Sequence, residues 1–212
     1  LEPNLQIKNS MQNKKIAQHR DFGHAANFLY LLSKKAPSKE HAKALDQYLI
    51  LLADHGFNAS TFAARVTVST LSDIYSGVVS AVGTLKGDLH GSANQRAMEM
   101  ILDIGKPELT EAYIQNLLAH KKKVMGFGHR IYKTKDPRAV AFHEIARKMC
   151  EKAGDLNWME ISDRVEKFMW EKKQIPCNVD FFSASVLYLL GFPVDFFTTV
   201  FAASRVAGWT AH

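Results

Sequence analysis

Leu45-Asp46-Gln47-Tyr48-Leu49-Ile50-Leu51-Leu52 is the stretch that decides the fold. Leu45, Tyr48, Leu49 and Leu52 recur at i, i+3, i+4 and i+7, the spacing that lines one face of an α-helix. The chain that follows carries the same pattern in Val68, Leu71, Ile74, Tyr75, Val78, Val79 and Val82, which predicts a second helix after the first. Working outward, helical spacing predicts further helices over 93–104, 110–120, 137–153, 161–172, 183–190 and 193–207, with Pro137 placed at a first turn, where a missing N–H costs nothing. The expected class is all-α.

The apolar run 183–204 is long enough to raise the question of a membrane span, but it contains Asp195 and is broken by Gly191-Phe192-Pro193. An unpaired Asp near a bilayer centre costs about 2.5 to 3.5 kcal/mol, so the run reads as two buried core helices. With 212 residues, 47% hydrophobic and 23% charged, the chain has the composition of a folded domain and not of a disordered or collagenous one. Its formal charge of +6 suits anionic ligands in general. Two cysteines, Cys150 and Cys177, are too few for a disulfide framework and read as packed thiols in a reducing compartment. Residues 1–20 have no apolar signal region, and the chain starts at Leu1, so a fragment or processed form is expected.

Glycine, proline and small polar residues interrupt the helices at 54–60, 83–92, 105–107, 126–136 and 174–179. Three of these breaks hold a histidine: His55, His90 and His129. A fourth holds the carboxylate of Asn178-Val179-Asp180. Loops that join buried helices are where ligand groups gather. The histidines lack the i, i+4 spacing of a zinc helix and neither cysteine has a Cys-x-x-Cys partner, so no metal is expected. Gly126-Phe127-Gly128 lacks the third glycine and the strand of a dinucleotide fingerprint, and no phosphate-loop motif is present. The basic segment with Lys121, Lys122, Lys123, His129, Arg130, Lys133, Lys135 and Arg138 has no interleaved aromatics, and no recognition helix stands out, so neither nucleic acid nor membrane is expected as a partner.

Several motifs occur together in one order. They are Asp54-His55-Gly56-Phe57-Asn58-Ala59-Ser60-Thr61-Phe62-Ala63-Ala64-Arg65; Leu85-Lys86-Gly87-Asp88-Leu89-His90-Gly91-Ser92-Ala93-Asn94; Val124-Met125-Gly126-Phe127-Gly128-His129-Arg130 with Asp136-Pro137-Arg138; Asn178-Val179-Asp180-Phe181-Phe182-Ser183; and Ser204-Arg205-Val206-Ala207-Gly208-Trp209. In this order they resemble the citrate synthase family, from about Phe22 to the end.

The resemblance implies condensation of acetyl-CoA with oxaloacetate. A thioester methyl is a far weaker acid than a carboxyl of ordinary pKa about 3.9, so removing its proton requires the enolate to be stabilised as it forms. By resemblance Asp180 is the base, His90 donates to the thioester oxygen, and His129 polarises the keto carbonyl of oxaloacetate. His55, Arg138 and Arg205 are implied to hold the oxo-acid carboxylates, where a guanidinium fork pairs bidentately. Asn178 is implied as a neighbour that shapes this substrate site. Val124, Met125, Gly126, Phe127 and Gly128 match the loop around the CoA adenine, and Lys133 is implied to meet CoA phosphates. CoA thioesters would be co-substrates, with no permanently bound cofactor.

The residues taken alone allow simpler readings: Asp180 as N-cap of a helix beginning at Phe181, Arg138 as a first-turn surface residue, Arg205 as a buried partner of Asp195. The chain also departs from the family pattern. His90-Gly91-Ser92 stands where His-Gly-Gly is usual, and Phe182-Ser183-Ala184 where Tyr-Ser-Gly is frequent. The resemblance implies a large helical domain, here 1–91 with 178–212, and an inserted small domain, 92–177, closing about hinges at Gly91 and Asn178. It also implies a homodimer or higher homo-oligomer using 45–85, a cytoplasmic (or mitochondrial matrix) location, and missing N-terminal helices and C-terminal tail. Two alternatives stay open: a 2-methylcitrate synthase using propionyl-CoA, and a non-catalytic helical dimerisation or binding module.

Overall fold

The computed structural model describes residues 17–88, 90–129, 132 and 134–212. Over these residues the regular structure is helical: α1 His24–Ser33, α2 Lys39–Leu52, α3 Ala59–Val68, α4 Ile74–Leu85, α5 Ala93–Ile104, α6 Thr110–Ala119, α7 Pro137–Ala153, α8 Asn157–Lys173, α9 Val179–Leu189 and α10 Phe197–Ala211. The short 3-10 turns Pro107–Leu109 and Val194–Phe196 lead into α6 and α10. No described helix is long and apolar enough to cross a membrane.

The helix expected to run continuously over 68–82 is in fact two. Ser69 Oγ donates to the Val66 carbonyl at 2.7 Å and Thr70 Oγ1 to the Thr67 carbonyl at 2.8 Å, closing the end of α3. Leu71 then turns left-handed at φ 64° and is 97% exposed. Asp73 restarts the helix by accepting from the Ser76 N–H and hydroxyl, both at 2.9 Å. Short polar side chains that bond the backbone locally outweigh the apolar period. α3 itself is set by Asn58, whose Oδ1 accepts from the N–H groups of Ser60 and Thr61. Further on, α8 and α9 each begin one turn before the expected 161 and 183, and α10 begins at Phe197, after the 3-10 turn that follows Pro193.

By packing, the chain divides into two compact units, one comprising the residues up to Thr84 with Leu190–His212 and the other Leu85–Leu189. In the first, α2 packs against α1 and α10, and α10 also against α3. Leu45, Tyr48 and Leu52, the residues whose spacing predicts the fold, are fully buried in it. α10 reaches α2 closely enough for Ser204 Oγ to donate to the Leu49 carbonyl at 2.6 Å and Arg205 Nε to the Leu52 carbonyl at 2.6 Å. The last carbonyls of α2, which have no partner inside their own helix, are thereby satisfied.

The second unit is built around α9, which packs against α5, α7 and α8. Phe181, Phe182, Ser183, Ala184, Ser185, Val186 and Leu187 are all buried, as expected of a helix apolar on every face. Each large apolar side chain so buried contributes about 1.5–3 kcal/mol, and this explains the membrane-like composition of the run. Because α9 packs with α5, α7 and α8, its first turn, and with it Asp180, belongs to the inserted unit.

Candidate active site

In the second unit, the loop carrying His129 is paired with the chain that leads into α9. Phe127 and Cys177 form an isolated antiparallel bridge. Gly128 N donates to the Pro176 carbonyl and Asn178 N to the Gly126 carbonyl, each at 2.9 Å. Gly126 has φ +79°, and a Cβ there would lie 2.8 Å from Phe181 Cβ and 3.0 Å from Phe181 Cα. Only glycine allows this loop to lie against the first turn of α9. Phe127 covers the contact, its ring 4.7 Å from that of Phe181. Val124 is buried, while Met125, Phe127 and Gly128 are half-buried.

Asn178 ties the two strands of chain together. Its Nδ2 donates to the Gly128 carbonyl at 2.9 Å and its Oδ1 accepts from Asp180 N at 3.0 Å. The capping of α9 therefore falls to Asn178. Asp180 lies inside the first turn, its carboxylate half-buried near the positive end of the helix dipole. The simpler reading of Asp180 as N-cap does not hold.

The imidazole of His129 is also oriented by backbone. Tyr132 N donates to His129 Nδ1 at 3.0 Å, so in the neutral ring the proton resides on Nε2, which is then a donor. The Tyr132 ring lies 4.7 Å from His129 and 5.9 Å from the guanidinium carbon of Arg138.

Arg138 is no exposed first-turn residue. Its side chain is 11% accessible and forks onto fully buried Asp136, with Nε to Oδ1 at 3.1 Å and Nη2 to Oδ2 at 2.8 Å. Asp136 also N-caps α7 by accepting from Arg138 N at 2.9 Å. Burial opposes charge on Asp136, but the hydrogen bonds and charge of Arg138, with a smaller contribution from His129, hold its carboxyl below the usual value. Asp136 stands within a motif of the sequence, but its residue type alone assigns it no role. The available signal was an Asp-Pro helix start with an arginine two residues after the Asp.

His90 lies at the approach to α5. His90 N donates to the Gly87 carbonyl at 2.9 Å and Gly91 N to the Leu85 carbonyl at 2.7 Å. A Cβ on Gly91 would fall 2.5 Å from the Leu85 side chain, so this turn depends on glycine. Ser92, where glycine is usual, folds its hydroxyl back toward the Gly87 carbonyl at 3.3 Å. Phe182, the other departure, meets His143 edge-on at 4.7 Å and lines a cavity of about 130 Å³ with Lys135, His143, Glu166 and Cys177. Cys177 donates its S–H to Glu166 at 3.3 Å. Burial pushes the Cys150 thiol up to about 11 and raises that of Cys177 as well, so both are packed thiols.

His55 and Arg205 belong to the other unit. His55 is half-buried in the turn before α3, where neighbouring Asp54 accepts from Gly56 N at 3.2 Å and pairs with His212 at 3.2 Å. Arg205 is 2% exposed, with its guanidinium carbon 4.8 Å from the Phe201 ring centre. Gly208 lets α10 touch the same turn: Gly208 N donates to the Ala53 carbonyl at 3.0 Å, and a Cβ there would lie 2.5 Å from that oxygen. Lys133 lies outside the described residues. No cluster of three or more potential metal ligands occurs among the described residues.

The family model for the citrate synthase C-terminal domain matches residues 5–212. The chain is 49% identical to "Citrate synthase 2" of Bacillus subtilis over 197 residues, covering 93% of this chain and 53% of that protein. It is 48% identical to a 2-methylcitrate synthase of Shewanella oneidensis over 187 residues, covering 88% and 50%. Among solved structures, the Thermoplasma acidophilum citrate synthase in ternary complex with carboxymethyl coenzyme A and oxaloacetate superposes with a TM-score of 0.89, at 40% identity over 95% of this chain and 55% of that one. The chain spans about half the length of the curated relatives it matches.

Proposed function

Because this chain belongs to the citrate synthase family, we propose that it supplies much of the catalytic apparatus of an enzyme condensing acetyl-CoA with oxaloacetate. Asp180 takes a proton from the thioester methyl while His90 donates a hydrogen bond to the thioester oxygen, where charge accumulates. The methyl carbon then attacks the keto carbon of oxaloacetate, and His129 Nε2–H polarises the keto oxygen and gives it a proton. Water cleaves the resulting citryl thioester, releasing citrate and CoA thiol.

The observation that best supports this reading is the Phe127–Cys177 bridge, because it ties the loop of His129 to the segment that leads into Asp180. Asn178 fastens both ends of that pairing. Pre-set geometry of this kind can supply about 7 to 11 kcal/mol of a two-substrate barrier.

Arg138, Arg205 and His55 are assigned to the oxo-acid carboxylates, and residues 124–128 with Lys133 to CoA. Movement of the unit Leu85–Leu189 against the other would exclude water before proton abstraction. A homodimer, or a larger assembly built on it, is proposed through α4, whose Tyr75, Val79 and Val82 form an exposed apolar stripe of the kind that marks protein interfaces. A cytoplasmic location completes the proposal.

Propionyl-CoA is a second candidate substrate, favoured by the 48% identity to a 2-methylcitrate synthase. One methyl is worth only about 1–3 kcal/mol of discrimination, so the two substrates must be compared directly. Thiol release by the full-length protein, given oxaloacetate and either acetyl-CoA or propionyl-CoA, makes that comparison. Higher kcat/KM with acetyl-CoA supports the first reading, higher kcat/KM with propionyl-CoA replaces it with the second, and release from neither rejects the enzyme.

A further inference from the structure

We propose that Asp136 is a positioning residue for the oxo-acid site: it occupies one edge of the Arg138 guanidinium and leaves the opposite edge as the fork that meets a substrate carboxylate. This inference rests on the reading of Arg138 as a carboxylate-binding residue and adds what orients it.

A guanidinium has five N–H donors in one rigid plane. Asp136 takes Nε–H at 3.1 Å and one Nη2–H at 2.8 Å, the side-on pair. Of the three donors that remain, one on Nη1 and one on Nη2 run parallel, form the end-on edge and have no hydrogen-bond partner among the described residues. The Asp136 side chain is fully buried, and Pro137 separates it from the residue it holds. The same carboxylate also accepts from the backbone N–H of Arg138 at 2.9 Å, so one group fixes both the main chain and the side chain of Arg138.

The Tyr132 ring bounds the arrangement. Arg138 at 5.9 Å and His129 at 4.7 Å stand beside the same ring, which sets the proposed carboxylate and carbonyl groups next to one another in the fold. Asp136 also compensates the arginine's charge, so recognition depends on the direction of two N–H bonds and not on net attraction. Lysine, a point donor, cannot satisfy Asp136 and present a second fork.

The test separates this role from plain helix capping. Asparagine is as good an N-cap as aspartate, so Asp136→Asn preserves the cap while breaking the fork. In the full-length protein this variant is expected to raise KM for oxaloacetate about 10- to 100-fold, with KM for acetyl-CoA and kcat nearly unchanged. Arg138→Lys, which leaves the cap intact, is expected to raise the same KM at least as much. In an Arg138→Ala background, Asp136→Asn should add nothing more.

An unchanged oxaloacetate KM in Asp136→Asn, with Arg138→Ala strongly impaired, overturns the positioning role and leaves the Arg138 reading intact. An unchanged KM in Arg138→Ala overturns both. Should Asp136→Asn fail to fold, Arg138→Lys decides: a normal oxaloacetate KM in that variant refutes the fork.

Discussion

Asn178 donates to the carbonyl of Gly128 at 2.9 Å while accepting the N–H of Asp180 at 3.0 Å, so one amide side chain fixes the residue before His129 and the residue proposed as base. Asn178→Asp keeps the acceptor and loses the donor. It leaves the Gly128 carbonyl without that partner and sets a second negative charge beside Asp180. The expected cost is about 1–3 kcal/mol in urea denaturation, with kcat reduced at least about tenfold through misplacement of the reacting groups.

Gly126 permits the loop to touch α9. Gly126→Ala puts a methyl 2.8 Å from Phe181 Cβ, at a φ of +79° that disfavours any side chain. The expected destabilisation is about 1–3 kcal/mol from overpacking, with added strain from the positive φ. Gly154→Ala, also at positive φ but with nothing within 4 Å of its Cβ, should cost less. Equal melting temperatures for the two variants would show that the approach to Phe181 does not matter.

These contacts mark the limit of what the sequence discloses. The helices Ala93–Ile104 and Pro137–Ala153 were legible to the residue, because an unbroken apolar period and a first-turn proline agree there. The interruption at Ser69–Asp73 was not, since the apolar spacing runs straight across a turn made by serine, threonine and aspartate hydroxyl and carboxylate bonds. His129 and Asp180 stood out through their motifs, whereas the bridge that joins their segments pairs residues 50 positions apart and no local pattern encodes it. The fork between Asp136 and Arg138 was equally hidden. A spacing of two residues says nothing about whether both side chains turn inward, as fully buried Asp136 and largely buried Arg138 do.

Acid should reveal the same pair. Burial works against a charged Asp136, yet Arg138 holds its carboxyl below the usual value. Between that lowered value and the unfolded value of about 3.9, the folded protein binds fewer protons than the unfolded chain. Its contribution is therefore fully present above about pH 4 and is lost as the pH falls through the folded value. Urea titrations of wild type and Asp136→Asn should differ most near neutrality and converge as the pH falls through the lowered value. A difference that stays constant with pH would show that the ion pair is not the source.

The stripe on α4 makes a separate prediction. Tyr75 and Val79 are 80% and 70% exposed, so replacing both with glutamate disturbs no core contact of their own unit. Light scattering should show the full-length protein falling to monomer mass while its helical circular dichroism persists. Retention of the larger mass would place the subunit interface elsewhere.

The most direct measurement is thiol release from acetyl-CoA and oxaloacetate by the full-length protein and by Asp180→Asn. Asparagine cannot accept the methyl proton, and α9 keeps its cap on Asn178. The expected result is a kcat lowered by about 10²- to 10⁴-fold, with melting temperature and oxaloacetate binding retained. Wild-type turnover in Asp180→Asn would contradict the account, because carbon-acid activation would then not depend on that carboxylate.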